Sequence, residues 1–136
     1  MNTVDWLSRL IAFDTTSRHS NLQLIDCVDE YLRGLGLQPW RAWNADQSKA
    51  NLFVTLPAHD GSIAGGTVLS GHTDVVPPGD LDAWTSNPWQ VRRDGDFLYG
   101  RGVEDNQQAI VSMLLLAEEV LAHNITPELS LGLVFM

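Results

Sequence analysis

Two short segments constrain what this chain can fold into more than any other feature, because their polar residues could share one site if the fold brings them together. The first reads Ser70-Gly71-His72-Thr73-Asp74-Val75-Val76-Pro77 and the second Tyr99-Gly100-Arg101-Gly102-Val103-Glu104-Asp105-Asn106. His72 and Asp74 are two positions apart, so at the end of an extended strand their side chains leave the same face. An imidazole placed there can face a cation while the neighbouring carboxylate steadies the ring from behind, as at most metal-bound histidines. Asp105 offers the hard oxygen that a second cation needs. The pattern reads as half of a two-metal site, with the other half expected beyond Met136.

Plainer readings stay open at each position. A loop histidine is commonly just hydrogen-bonded, and Asp74 would serve equally in a turn. Asp105 is well placed as the N-cap of a following helix, with Gln108 at the capping-box distance. A helix N-terminus also carries partial positive charge, so a cation there needs further carboxylates. Arg101, between two glycines, suits either an oxyanion donor or a loop-stabilising role.

Composition narrows the function classes. At 136 residues with 44% hydrophobic content, the chain is one domain's worth and long enough to bury a core. A net charge of -9, from 8 basic and 17 acidic residues, argues against nucleic-acid binding, which needs clustered Lys and Arg. Cys27 stands alone, so no internal disulfide forms and no oxidising compartment is implied. The opening residues lack a basic region followed by an apolar run, and the longest apolar stretch, residues 109–117, is interrupted by Ser112 and too short to span a bilayer. No membrane partner is expected, and the cytoplasm is the expected location.

Periodicity supplies the elements. Val4, Leu7, Leu10 and Ile11 predict a first helix capped by Asn2 or Thr3. Ser20 and Gln23 form a capping-box pattern ahead of a second, with Leu24, Ile25, Val28, Tyr31 and Leu32 inward and Gly34 or Gly36 at its end. Residues 38–43, 51–56 and 67–70 read as strands, with 58–66 as the turn between the last two. Asp94-Gly95-Asp96 marks a hairpin. Residues 106–122 carry the strongest helical stripe, with Ala109, Ile110, Met113, Leu114, Ala117, Val120 and Leu121 inward and Leu115 and Leu116 widening that face. A final strand follows at 129–135, and strands alternating with helices predict an α/β sheet that is at least partly parallel. His72 then falls at the carboxyl end of a strand and Asp105 at the start of a helix, where a crevice forms in such sheets.

The strings SGHTDVVPPGDLDAW and NPWQVRRDGDFLYGRGVEDNQQA, with LIAFDTTSRHSNLQLIDCVDEYL before them, resemble the acetylornithine deacetylase and succinyl-diaminopimelate desuccinylase family of zinc peptidases and deacylases. The resemblance runs over essentially the whole chain and keeps the H-x-D element, Trp84, Pro88, the hairpin and the Y-G-R-G-x-x-D element in order. It implies a mixed sheet flanked by helices, forming part of a zinc-peptidase-like catalytic domain. His72 would ligate one zinc, Asp105 would bridge two, and Asp74 would be a catalytic residue orienting His72; cobalt is a possible substitute. Where many members carry Lys-Gly two and three residues after the bridging aspartate, this chain has Gln107-Gln108, as a subset does, and Glu104 stands where a small residue is common.

The implied reaction is metal-dependent hydrolysis of the amide in an N-acyl amino acid, as in acetylornithine deacetylases. A dipeptidase or aminoacylase acting on a short peptide, and a non-catalytic metal- or partner-binding fragment, are the alternatives. Residues 1–136 would be the N-terminal part of the catalytic domain. The general base, the remaining ligands and the dimerisation domain of a homodimer would lie beyond Met136, so the chain alone is expected to be inactive and to expose an apolar edge at Leu131, Leu133 and Phe135.

Overall fold

The computed structural model describes residues 1–136. The first apolar stripe folds as α1 (Thr3–Ile11), where the Asn2 side chain accepts a hydrogen bond from the Asp5 backbone at 2.9 Å. Its buried face is Trp6, Leu7, Leu10 and Ile11. Helix α2 (Leu22–Gly34) buries Leu24, Ile25, Val28 and Leu32 and ends through Gly36, where Leu37 N–H reaches back to Leu32 O at 3.1 Å. The expected capping box does not form. Ser20 Oγ accepts only from Leu22 N–H, and the neighbouring Asn21 turns its amide inward. Asn21 Nδ2 donates to Ala50 O at 2.9 Å and to Thr73 Oγ1 at 3.1 Å, while its Oδ1 accepts from Ala50 N–H at 3.1 Å. Three buried hydrogen bonds across the fold outweigh an exposed local cap.

Strands β1 (Trp40–Trp43), β2 (Ala50–Leu56), β3 (Thr67–Gly71) and β6 (Leu131–Phe135) form one mixed sheet in the order β1-β2-β6-β3. Strand β6 runs antiparallel to β2 and parallel to β3. Residues 58–66 join β2 to β3 as expected, without pairing them, because β6 lies between the two strands. The predicted apolar edge is absent. Leu133 and Phe135 are fully buried in an interior strand, and the sheet's edges are β1 and β3. Alternation places Leu52, Val54 and Leu56 of β2 beside Phe135, Leu133 and Leu131 of β6 on one face. All three helices pack there in a single apolar cluster. The opposite face carries Trp40 stacked on Phe53 at 4.4 Å between ring centroids.

Between β3 and β6 the chain forms the predicted hairpin, β4 (Arg92–Asp94) and β5 (Phe97–Tyr99), and then α3 (Gln108–Ala122). The inward face of α3 is Ile110, Val111, Met113, Leu114, Ala117 and Val120, whereas Leu116 is exposed. No helix is long and apolar enough to cross a membrane.

Asn21 thus joins helix, sheet and the His72 segment. Asn21→Ala is expected to lower unfolding free energy by about 1–3 kcal/mol, the cost of stranding buried polar groups, at an unchanged denaturant slope. Ser20→Ala should cost less; the reverse order in urea titrations would restore the capping-box reading.

Candidate metal centre

The parallel pairing of β3 with β6 sets the location. Beyond Gly71 the chain stays in register with β6, through Met136 N–H to Gly71 O at 2.9 Å and Thr73 N–H to Met136 O. His72 therefore leaves the carboxyl end of β3 with its backbone already fixed. Gly71 leaves little room for a side chain: a Cβ there would stand 3.1 Å from Ile110 Cδ1 and 3.2 Å from Asn106 Oδ1. The segment carrying Asp105 can consequently approach closely.

That segment is not the start of a helix. Residues Val103–Gln107 form a wide turn in which Asp105 (φ -121°, ψ 87°) and Asn106 (φ -146°, ψ 34°) leave helical geometry, and α3 begins only at Gln108 with no side-chain cap. The N-cap reading of Asp105 is overturned. Its carboxylate instead meets the imidazole, with His72 Nε2 2.9 Å from Asp105 Oδ1. The other ring nitrogen, Nδ1, lies 2.9 Å from Asp74 O and 3.3 Å from Asp74 Oδ1. The ring is thus steadied by the main-chain carbonyl of Asp74 as well as by its carboxylate. His72, Asp74 and Asp105 come together, although Asp105 arrives from a turn rather than from the expected helix start.

The carbonyl facing Nδ1 is an acceptor only, so the neutral ring carries its proton on Nδ1 and presents a lone pair at Nε2. Desolvation pulls the His72 pKa down, but the hydrogen bonds the ring donates to Asp74 O and Asp105 and the charges of Asp105 and Asp74 outweigh it, and the pKa stands above the ordinary 6.5. When the ring is protonated, Nε2–H donates to Oδ1, in the place that a cation would take. The donors suit such a cation. Two metal bonds of about 2 Å at a tetrahedral angle separate their donor atoms by roughly 3.3 Å, so the observed 2.9 Å needs only a small opening. No group of three His, Cys, Asp or Glu side chains converges, so the chain presents two candidate donors rather than a closed cage.

The side chain between the two site residues faces inward, and every polar group on it is held. Thr73 is fully buried; its carbonyl accepts from Thr15 Oγ1 at 2.6 Å and Gln107 Nε2 at 2.9 Å, and its hydroxyl meets Asn21. Asn106 Oδ1 accepts from His72 N–H at 3.1 Å. The Asn106-Gln107 pair therefore ties the two segments together. Gly102 adopts a left-handed φ of +85° with Val75 Cγ1 2.6 Å from where a Cβ would stand, which reserves the position for glycine. Arg101 lies 5.1 Å over the Trp84 ring, and its N–H donates to Pro88 O at 2.7 Å, so it braces the intervening loop.

Residues 68–136, half of the chain, match the model of peptidase family M20/M25/M40. The chain belongs to that family. A succinyl-diaminopimelate desuccinylase of Verminephrobacter eiseniae is 42% identical over 98 residues, covering 65% of this chain and 24% of the relative. An uncharacterized metallohydrolase of Methanocaldococcus jannaschii is 47% identical over 69 residues, covering 50% of this chain and 17% of its own length. Among solved structures, human carnosine dipeptidase 1 superposes with a TM-score of 0.81 at 20% identity, over 98% of this chain and 31% of the dipeptidase. An M20 family metallo-carboxypeptidase from Sulfolobus solfataricus gives 0.80 at 17% identity, over 99% and 30%. These likenesses establish the M20 fold. The chain spans less than a third of the length of each of these four proteins.

The supporting residues Thr15, Asn21, Thr73 and Gln107 were not singled out by sequence reasoning for this role. Thr73 alone had a usable signal, since the alternation that sends His72 and Asp74 to one face sends Thr73 to the other. In a nitrogen-15 NMR titration of the metal-free chain, His72 is expected to titrate above 6.5, and Asp105→Asn, which removes a facing negative charge, to bring the midpoint down. An unchanged midpoint would show that the carboxylate does not face Nε2.

Proposed function

We propose that this chain is the N-terminal part of the catalytic domain of a metal-dependent amide hydrolase that removes the acyl group from an N-acyl amino acid. One observation carries the reading: His72 Nε2 and Asp105 Oδ1 converge to 2.9 Å while Nδ1 is held from behind. In this reading His72 and Asp105 hold zinc, with Asp105 bridging two ions and cobalt able to substitute. Bound there, the metal supplies Lewis acidity toward the scissile carbonyl and lowers the pKa of water toward neutrality. The chain's own residues provide placement. Asp74 keeps the imidazole lone pair outward, and the side chain of Asp105, 82% exposed, leaves the pair accessible from one side. The remaining ligands and the proton-accepting carboxylate would come from further elements of such a domain, in a cytoplasmic homodimer.

The acyl group is the finer question. Several relatives at 42–50% identity, though not the Methanocaldococcus protein, are named as desuccinylases, which supports deacylation and widens the candidates from acetylornithine to succinyl substrates. The solved dipeptidases, at 18–20% identity, speak to architecture alone.

In the active polypeptide carrying this sequence, Asp105→Ala should cost more kcat/KM than the roughly 10–100-fold lost with a metal's outer partners. The control Asp94→Ala, in the exposed hairpin, should cost little; both are read on N-acetylornithine and N-succinyl-diaminopimelate. Equal activities would contradict the assignment. Residues 1–136 alone are expected to bind zinc weakly and hydrolyse neither substrate, and metal-dependent turnover by them would overturn the division of roles.

A further inference from the structure

We propose that Ser17 is a positioning residue for His72, acting through Asp74; the inference rests on the metal-centre reading above. Asp74 has two oxygens with different duties. Oδ1 faces His72 Nδ1 at 3.3 Å, and Oδ2 accepts a hydrogen bond from Ser17 Oγ at 2.5 Å, the short range of a hydroxyl donating to a carboxylate. The Asp74 side chain is 49% exposed and makes no other side-chain hydrogen bond or ion pair. Released from Ser17, it would turn toward water, and the carboxylate would leave the ring.

Ser17 can act as a fixed point because the segment carrying it is anchored without its hydroxyl. Thr16 bridges Val75 in parallel, Val75 N–H donates to Thr15 O at 3.0 Å, and Ser17 N–H donates to Val75 O at 3.0 Å. Thr15 and Thr16 are buried, and Thr15 Oγ1 holds the Thr73 carbonyl. Asp14 closes the loop on itself by accepting from Thr16 N–H and Oγ1, and Lys49 Nζ caps the Ser17 carbonyl. This strap lies along the Thr73-Asp74-Val75 segment. The Ser17 hydroxyl is the strap's one side-chain contact with the Asp74 carboxylate.

The proposal separates positioning from folding. Ser17→Ala removes the hydroxyl and leaves the backbone anchors, so the fold should persist while Asp74 loses its rotamer. In the metal-free chain, Asp74 Hα–Hβ couplings should average and the His72 ring nitrogen-15 shifts should move. Ser17→Thr, on an exposed position, should restore both. Asp14→Ala, which disturbs the same loop without touching Asp74, should leave both in place. Cobalt(II) titration of the same proteins should show about fivefold weaker binding in Ser17→Ala, the weight of one hydrogen bond. Unchanged Asp74 couplings and His72 shifts in Ser17→Ala, or equal shifts in Asp14→Ala, would overturn the positioning role. Wild-type chain whose His72 ring is left unperturbed by cobalt even in large excess would overturn the metal-centre reading instead, and the couplings would still decide for or against Ser17.

Discussion

The site depends on the burial of Thr73. Its side chain is sequestered from water, its N–H is taken by Met136 O, its carbonyl by Thr15 and Gln107, and its hydroxyl by Asn21. A polar residue buried in a low-dielectric interior is tolerated only when its groups are all partnered, and a fully partnered one is correspondingly rigid. Thr73 is flanked by His72 and Asp74, so fixing it aims both of them outward. Four parts of the chain converge on it: the end of α1, the entry to α2, the end of β6 and the entry to α3. Loss of any one would loosen the geometry of the outward pair.

This explains why His72 and Asp105 can be so exposed. The His72 and Asp105 side chains are 41% and 82% exposed, so packing around them cannot hold them. Precision comes from beneath, through backbone hydrogen bonds and the buried amides of Asn21 and Gln107. In the protonated ring an Nε2–H donated to Oδ1 would keep the two side chains together, and a divalent cation would compete with that proton for the same lone pairs. Binding is therefore expected to weaken as pH falls through the raised His72 value.

Much of the arrangement was legible in the sequence. Period-2 spacing placed His72 and Asp74 on one face, Asp-Gly placed the β4–β5 hairpin, and apolar stripes placed three helices within a residue or two. The misses have physical causes. Asp105-x-x-Gln108 has the pattern of a helix cap, but the attraction of the carboxylate for His72 and the tie from Asn106 to the His72 backbone displace the turn from helical geometry. Ser20 and Gln23 look like a capping box, yet the adjacent Asn21 finds better partners in a strand and a loop distant in sequence. The place of β6 between β2 and β3 depends on long-range pairing, which local periodicity does not report. The strap from Thr15 to Ser17 left no local trace for the same reason.

The central claim is that His72 and Asp105 share one cation. Diffraction from crystals of this chain grown with excess zinc, recorded on both sides of the zinc absorption edge, tests it directly. The account predicts an anomalous peak about 2.0–2.2 Å from both His72 Nε2 and Asp105 Oδ1, with His72 Nδ1 still against Asp74. Zinc bound elsewhere on the chain, or density showing the two side chains apart with no peak between them, would contradict it.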